Sequence, residues 1–334
     1  MPPQNSEFIQ IEKRSMLYRR HLRIKVLQTL YSWYTGSITD LPLGERQLLQ
    51  SINKVYELFI YQLSFLVEAR RFTLVRIEEN KNKFYPTEDD LHPNLKFVNN
   101  KVLEMLANNS DLQKKEELYK TNWSQEESIF LKFYLKLRDA DFYKKYMAEE
   151  KASLEEDKKF IIKVIDRLIM EDELLRSFYD ESNVYFTDSY DLTGILLVKF
   201  IDSMSAKFDE ATRLPGIYTT SGQKINEDEL FVKNLFRKVI LNDEENAKII
   251  KAKTKNWDYE RIPLIDVILL KMAIVELQEM KTIPVKVSLN EYIELAKYFS
   301  TAKSKIFING VLDKLIGEFK QQGLINKIGR GLVD

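Results

Sequence analysis

The 334-residue chain contains no cysteine, which excludes disulfides, thiolate nucleophiles and cysteine-ligated metals. It has only two histidines, His21 and His92, and neither has companions at ligand spacing, so no metal site is expected. Ten glycines and eight prolines are too few for a turn-rich β protein. None of the patterns G-x-G-x-x-G, G-x-x-x-x-G-K-[ST] or G-x-S-x-G occurs, so there is no phosphate cradle or nucleophile elbow on which to build an enzyme. No catalytic residue and no cofactor are therefore expected. Neither sign of charge prevails: Lys+Arg and Asp+Glu each total 51. A whole-protein attraction for nucleic acid is absent, and any RNA site must be a local patch. The most apolar run, Ile262 to Leu277, is broken by Asp266, Lys271 and Glu276, short of the roughly 18 apolar residues of a membrane span. The first residues show no basic-then-apolar leader pattern, so a cytoplasmic protein without a membrane partner is expected.

What the chain does have is apolar residues (44%) and charge (31%) arranged with helical period, so an all-α fold is predicted. Between Glu45 and Lys81 apolar residues recur at Leu48, Ile52, Val55, Phe59, Leu63 and Leu66, one side of a long helix. Residues 80–96, with two prolines among polar residues, read as a loop, and Arg213–Gln223, with Pro-Gly and Ser-Gly, as a linker. Shorter helices are expected at about 95–108, 124–148, 155–180 and 190–210. After the linker they follow at about 227–241, 244–255, 263–280, 288–299 and 302–319. Asp243 is placed to cap the 244–255 helix, and Ser288 with Glu291 forms a capping-box pattern. Gly310 inside a helical pattern suggests close packing. At an offset of 71, Glu156, Asp157, Phe160, Ile169, Asp172 and Glu173 recur as Glu227, Asp228, Phe231, Ile240, Asp243 and Glu244. This echo is either a coincidence of similar helices or a degenerate helical repeat.

Two stretches carry the functional reading. Lys13–Lys25 holds Lys13, Arg14, Arg19, Arg20, Arg23 and Lys25 and no acid, at the start of a helix that then turns apolar. Cations at a helix N-terminus oppose its dipole by roughly 0.3–1 kcal/mol each, which points to an anionic partner, and the planar arginine fork suits phosphate. The alternative is a solvated helix end. The second stretch is Asn256–Phe319. It holds Trp257, Arg261 and Asp266, then I-P-x-K-V-x-x-N-E-x-x-E-L-A-K from Ile283 to Lys297, then F-x-N-G-V-L-D-K from Phe307 to Lys314.

Together with R-R-x-x-R (Arg19, Arg20, Arg23) followed by L-Y-S-W (Leu30 to Trp33), these motifs resemble the NusB family of transcription antitermination factors. The resemblance implies a compact helical bundle, here residues 14–42 plus 225–320, enlarged by a helical insertion at 43–224 that the family lacks. The flanks 1–13 and 321–334 are expected to be loose tails. It also implies binding of boxA-like single-stranded RNA of ribosomal operons together with the NusE ribosomal protein, within the RNA polymerase antitermination complex. Carried over by position, Arg19, Arg20 and Arg23 fall on the family's RNA-binding start and Phe307 at an RNA-side aromatic. Tyr31 and Asp266 fall where the family meets its protein partner. Lys303 stands where many relatives carry an acid, and Lys305 follows it, adding positive charge beside Phe307.

On pattern alone Tyr31 also reads as core, Phe307 reads more often as core than as RNA-facing, and a buried Asp266 would need a cation. Two rivals to antitermination are a helical adaptor that binds only proteins and an RNA-binding subunit associated with ribosomal RNA modification. The second would need a separate enzyme, since no α/β domain with a cofactor loop follows Phe319.

Overall fold

The computed structural model describes residues 16–149, 153–218, 226–254 and 261–332. Lys13, Arg14, Trp257 and the 1–13 flank lie outside the described residues. All described regular structure is helical, and the elements follow in chain order. They are α1 (Arg19–Tyr34), α2 (Leu41–Lys81), α3 (Glu88–Leu91), α4 (Lys101–Ala107), α5 (Ser110–Tyr119), α6 (Glu127–Asp139), α7 (Asp141–Ala148), α8 (Leu154–Val164), α9 (Glu173–Ser182), α10 (Val184–Thr187) and α11 (Tyr190–Ser203), then α12 (Glu227–Leu241), α13 (Asp243–Lys253), α14 (Leu264–Glu279), α15 (Val285–Phe299) and α16 (Ser304–Gln321). Among the described residues no helix is long and apolar enough to cross a membrane. The chain divides into two compact units, residues 1–52 with 216–334 and residues 53–215, the division falling inside α2.

The first unit is organised around α14. Every residue from Asp266 to Leu277 is buried, as expected of a helix apolar on all sides. Helices α1, α12, α13, α15 and α16 pack on it. Proline sets two of the starts: Pro263 precedes α14 and Pro284 precedes α15, each with φ already near the helical value and no amide to satisfy. Because α15 starts at Val285, Ser288 sits inside the helix and is not its cap. Its hydroxyl instead donates to Glu276 at 2.7 Å. Asp243 is likewise the first residue of α13 and holds a lysine, while Asn242 stands at the cap. Gly310 faces open space, so no close approach requires it. Beyond α16 the chain turns at Gly323 (φ +66°) and returns to the end of α14. There the Lys327 ammonium donates to the Glu276 and Met280 carbonyls at 3.2 and 3.0 Å, and the Ile328 amide to the Lys281 carbonyl at 3.0 Å. These contacts satisfy carbonyls that a helix end leaves open. Burial pushes the Lys327 ammonium down to about 8, against the pull of the Glu276 charge.

The second unit is built on aromatic rings. Phe65 stacks on Phe130 at 5.0 Å and meets Phe133 edge-on at 5.0 Å, and Trp123 packs against Phe130 and Phe178 at 5.4 and 5.2 Å. Helix starts carry the polar caps their sequence promises: Asn100 accepts from the Val102 amide, and Ser153 with Glu156 forms a reciprocal capping box. Between α8 and α9 the chain makes a π-helical turn, Ile165–Ile169. Beside it the Met170 side chain packs on Gly194 of α11, where a Cβ would lie 2.0 Å from the sulfur and displace it.

The residues of the sequence echo occupy similar surroundings. Asp157 and Asp228 are both buried in the first turn of a helix, and Phe160 and Phe231 are both buried one turn later. Asp172 holds Lys136 and Asp243 holds Lys271. The lysine comes from an earlier helix in one case and a later one in the other, so the likeness is in helix-start chemistry and does not extend to chain order.

Candidate nucleic-acid interface

Helix α1 begins at Arg19 with no acid in its first turn. The Tyr18 amide donates to the His21 ring nitrogen at 3.3 Å, a place where an acid usually serves. The carboxylates that this helix start calls for come from three other helices. Arg19 pairs with Asp228 of α12 at 3.3 Å, with Glu227 3.9 Å away, and lies over the Phe231 ring at 5.3 Å. Arg20 reaches Glu291 of α15 through both prongs of its fork, at 2.9 and 2.8 Å, and this hydrogen bond raises its pKa further. Arg23 does the same with Glu276 of α14, at 2.8 and 2.6 Å.

These pairs differ in burial. The Arg20 side chain is 43% exposed and remains within reach of solvent. Arg23 is 2% exposed, between the Phe231 and Tyr292 rings, and its fork is fully used. Burial alone would raise the Glu276 carboxyl and lower the Arg23 guanidinium. Their mutual attraction, with hydrogen bonds from Ser288 and Tyr292 to Glu276, overcomes this and holds Glu276 below its ordinary value and Arg23 above its own. The anionic partner that the arginine run pointed to is therefore inside the fold for Arg23. A phosphate would have to displace Glu276 to reach it, so Arg23 organises the bundle and offers no exposed contact.

The α15–α16 turn is different. Lys303 and Lys305 are exposed, and neither forms an ion pair among the described residues. The turn is held by Ser304, whose hydroxyl lies 3.0 Å from that of Ser300 and 2.8 Å from that of Thr301. Phe307, half-buried, follows on the first turn of α16, with the exposed Ile306 before it. Sequence reasoning missed one neighbour. Tyr298, at the last turn of α15, is exposed, and the Lys297 ammonium lies 5.3 Å from its ring centre. Its signal was an aromatic followed two residues later by a polar turn that cannot cover it.

The two residues expected to meet a protein partner have unlike settings. Tyr31 on α1 is exposed. Asp266, in the first turn of α14, is buried, and its Oδ1 has no hydrogen-bond partner among the described residues. It is thus neither cation-paired nor solvent-facing, the two settings the sequence suggested. Lys271, further along α14, is buried and satisfied by Asp243 at 2.5 Å and the Tyr34 hydroxyl at 3.4 Å. Among the described residues no group of three or more His, Asp or Glu is placed to hold a metal.

Residues 196–317 match the NusB family. The match runs from α11 through most of α16 and includes Glu276, Glu291, Tyr298, Lys303, Lys305 and Phe307. Helix α1 lies outside it. Relatives with the name transcription antitermination protein NusB are found in Salinibacter ruber (44% identity over 31% of this chain and 64% of the relative), Chloroherpeton thalassium (41%, over 31% and 49%) and Clostridium botulinum (44%, over 26% and 60%). The chain thus spans between about half and two thirds of the length of these curated relatives. No solved structure matches it.

Proposed function

Residues 196–317 are a NusB-family domain, and from that premise we propose that the protein is a transcription antitermination factor. In this reading it binds boxA-like single-stranded RNA of ribosomal operons together with the NusE ribosomal protein and promotes processive transcription, acting by binding and not by catalysis. The observation that carries the reading is the pair of exposed, acid-free lysines, Lys303 and Lys305, flanking Phe307 within the family match. Such a site suits single-stranded RNA, whose phosphates take the cations and whose unpaired bases stack on aromatic faces. Arg19 and Arg20 extend the cationic edge, since an exposed pair such as Arg20–Glu291 is worth only ~0–1 kcal/mol and yields to a phosphate. Tyr31, exposed on α1, is the proposed contact to the ribosomal protein, and Asp266, buried in α14, is out of reach of one.

The test is titration of a boxA RNA with and without that ribosomal protein. Replacing Lys303 and Lys305 with Gln should weaken binding at least tenfold near physiological salt. It should also lower the slope of log K against log salt by about 1.4, at ~0.7 per phosphate contact on a single strand. Wild-type protein that binds no RNA in either condition would sink the proposal. The rival favoured by a specific observation is the protein-only adaptor: Arg19, Arg20 and Arg23 all face carboxylates of their own chain. It predicts capture of the ribosomal protein with no RNA contribution.

A further inference from the structure

The α15–α16 turn holds a second aromatic surface that the family motifs do not include. Tyr298 is 68% exposed although it ends an amphipathic helix whose other aromatic on the inner side, Tyr292, is completely buried. A lone exposed tyrosine would need no explanation. Tyr298 is not alone. The Lys297 ammonium lies 5.3 Å from the ring centre, so one flank of the ring carries a cation. Lys297, like Lys303 and Lys305, is exposed and has no ion pair among the described residues. Glu291, which holds the Arg20 fork, lies seven residues, or two turns, before Tyr298 on α15, so the two share a face of that helix. Along α15, Tyr298 therefore stands between Glu291, which holds Arg20, and the lysine turn that leads to Phe307, with one ammonium at its ring and most of its surface exposed.

We propose that Tyr298 is a base-stacking platform, with Lys297 as its phosphate contact, which extends the single-stranded RNA track from Phe307 toward Arg20. The inference rests on the RNA reading of the same domain. Stacking is the favoured use because a ring face next to unpaired cations matches a polyanion with exposed bases. A purely apolar protein pocket would have to desolvate the lysines without compensation.

The experiment uses the full chain and a boxA-like single-stranded RNA with 2-aminopurine placed at successive positions. Tyr298→Ala should weaken binding about tenfold and abolish the fluorescence quenching at one position, with the salt slope unchanged, since a stack releases no counterion. Tyr298→Trp should retain both affinity and quenching. Lys297→Gln should instead lower the salt slope by about 0.7. Because Tyr298 is exposed, the variants should melt as the wild type does, and the melt verifies that. If the wild type binds the RNA and Tyr298→Ala binds it with equal affinity and quenching, the platform is refuted while the RNA reading stands. If Tyr298→Ala loses capture of the NusE-type ribosomal protein and keeps RNA affinity, the face is a protein contact and the inference falls. A wild type that binds no RNA removes the parent reading, and this one with it.

Discussion

The two units treat polar groups in their interiors differently. In the first, the buried Glu276 carboxylate receives four hydrogen bonds, two from Arg23 and one each from Ser288 and Tyr292, which ties α1, α14 and α15 in a single arrangement. In the second, the core is held by ring-on-ring packing, and several polar atoms within it have no partner among the described residues: both ends of the Gln62 amide and the Tyr56 and Tyr179 hydroxyls. The contrast is not absolute. Asn246 and Asp266 leave an atom unpartnered in the first unit, and Asp157 is well satisfied in the second by Tyr146 and the Lys101 amide. It still separates a unit whose helix register is set by directional, charged bonds from one set by shape. Aromatic shape tolerates adjustment, while a buried ion pair penalises every arrangement but one. The charged network lies in the unit that holds residues 216–317, most of the stretch that matches the NusB family.

The largest expected effect breaks that network. Glu276→Ala leaves the Arg23 guanidinium buried with only the more distant Glu291, 3.8 Å away, and should destabilise the first unit by ~3–5 kcal/mol. Hydrogen exchange resolves the two units: α14 amides should lose protection, and α6 amides should keep theirs. The network also has a pH signature. The Glu276 carboxyl is held below its ordinary value, so its contribution is complete above the unfolded value near 4.5 and is lost as pH falls through the folded one. The first unit should therefore lose stability on acidification more steeply than Glu276→Gln does. Equal acid sensitivity of the two proteins would mean that the carboxylate is not the group that titrates.

A smaller effect of opposite sign belongs to the second unit. Gln62 is completely buried in α2, and neither amide atom is hydrogen-bonded among the described residues. Leucine of similar volume removes an unsatisfied donor and acceptor, so Gln62→Leu should stabilise the unit by ~1–2 kcal/mol, read by denaturant unfolding. Destabilisation by a similar amount would show that ordered water satisfies Gln62, and the contrast between the units would narrow.

Much of this was legible in the sequence. The 3.6-residue period located α2, α12 and α16, because each has a long apolar stripe, while α14 stood out as a long apolar run. Phe307 was singled out by its place in the family motif, and Lys303 and Lys305 by their departure from it; the structure shows both lysines exposed and Phe307 half-buried. Arg23 was not legible, because its role depends on Glu276, 253 positions away, and pairing across such a distance leaves no local pattern. The same holds for Glu291, read as a helix cap because three residues separate it from Ser288, and claimed by Arg20 from α1. Tyr298 was passed over for the opposite reason. Next to Phe299 it reads as one more apolar helix position, and only the geometry of the turn reveals that nothing covers it.

The smallest effect sharpens the comparison most, because it holds chemistry constant and varies burial. Arg71 grips Glu68 through its fork, with Nε 3.0 and 2.8 Å from the two carboxylate oxygens, much as Arg23 grips Glu276. Both are arginine–glutamate forks, and both arginines lie on helices. Arg71 is 66% exposed where Arg23 is 2% exposed. In water the pair competes with hydration and salt, so Arg71→Ala should change the stability of the second unit by no more than ~0.5 kcal/mol, and added salt should reduce even that. Arg23→Ala should cost several times as much and be nearly indifferent to salt. If the two substitutions proved equal, burial would not be what gives the Arg23–Glu276 fork its weight, and the distinction between a charge-registered and a shape-registered unit would fail with it.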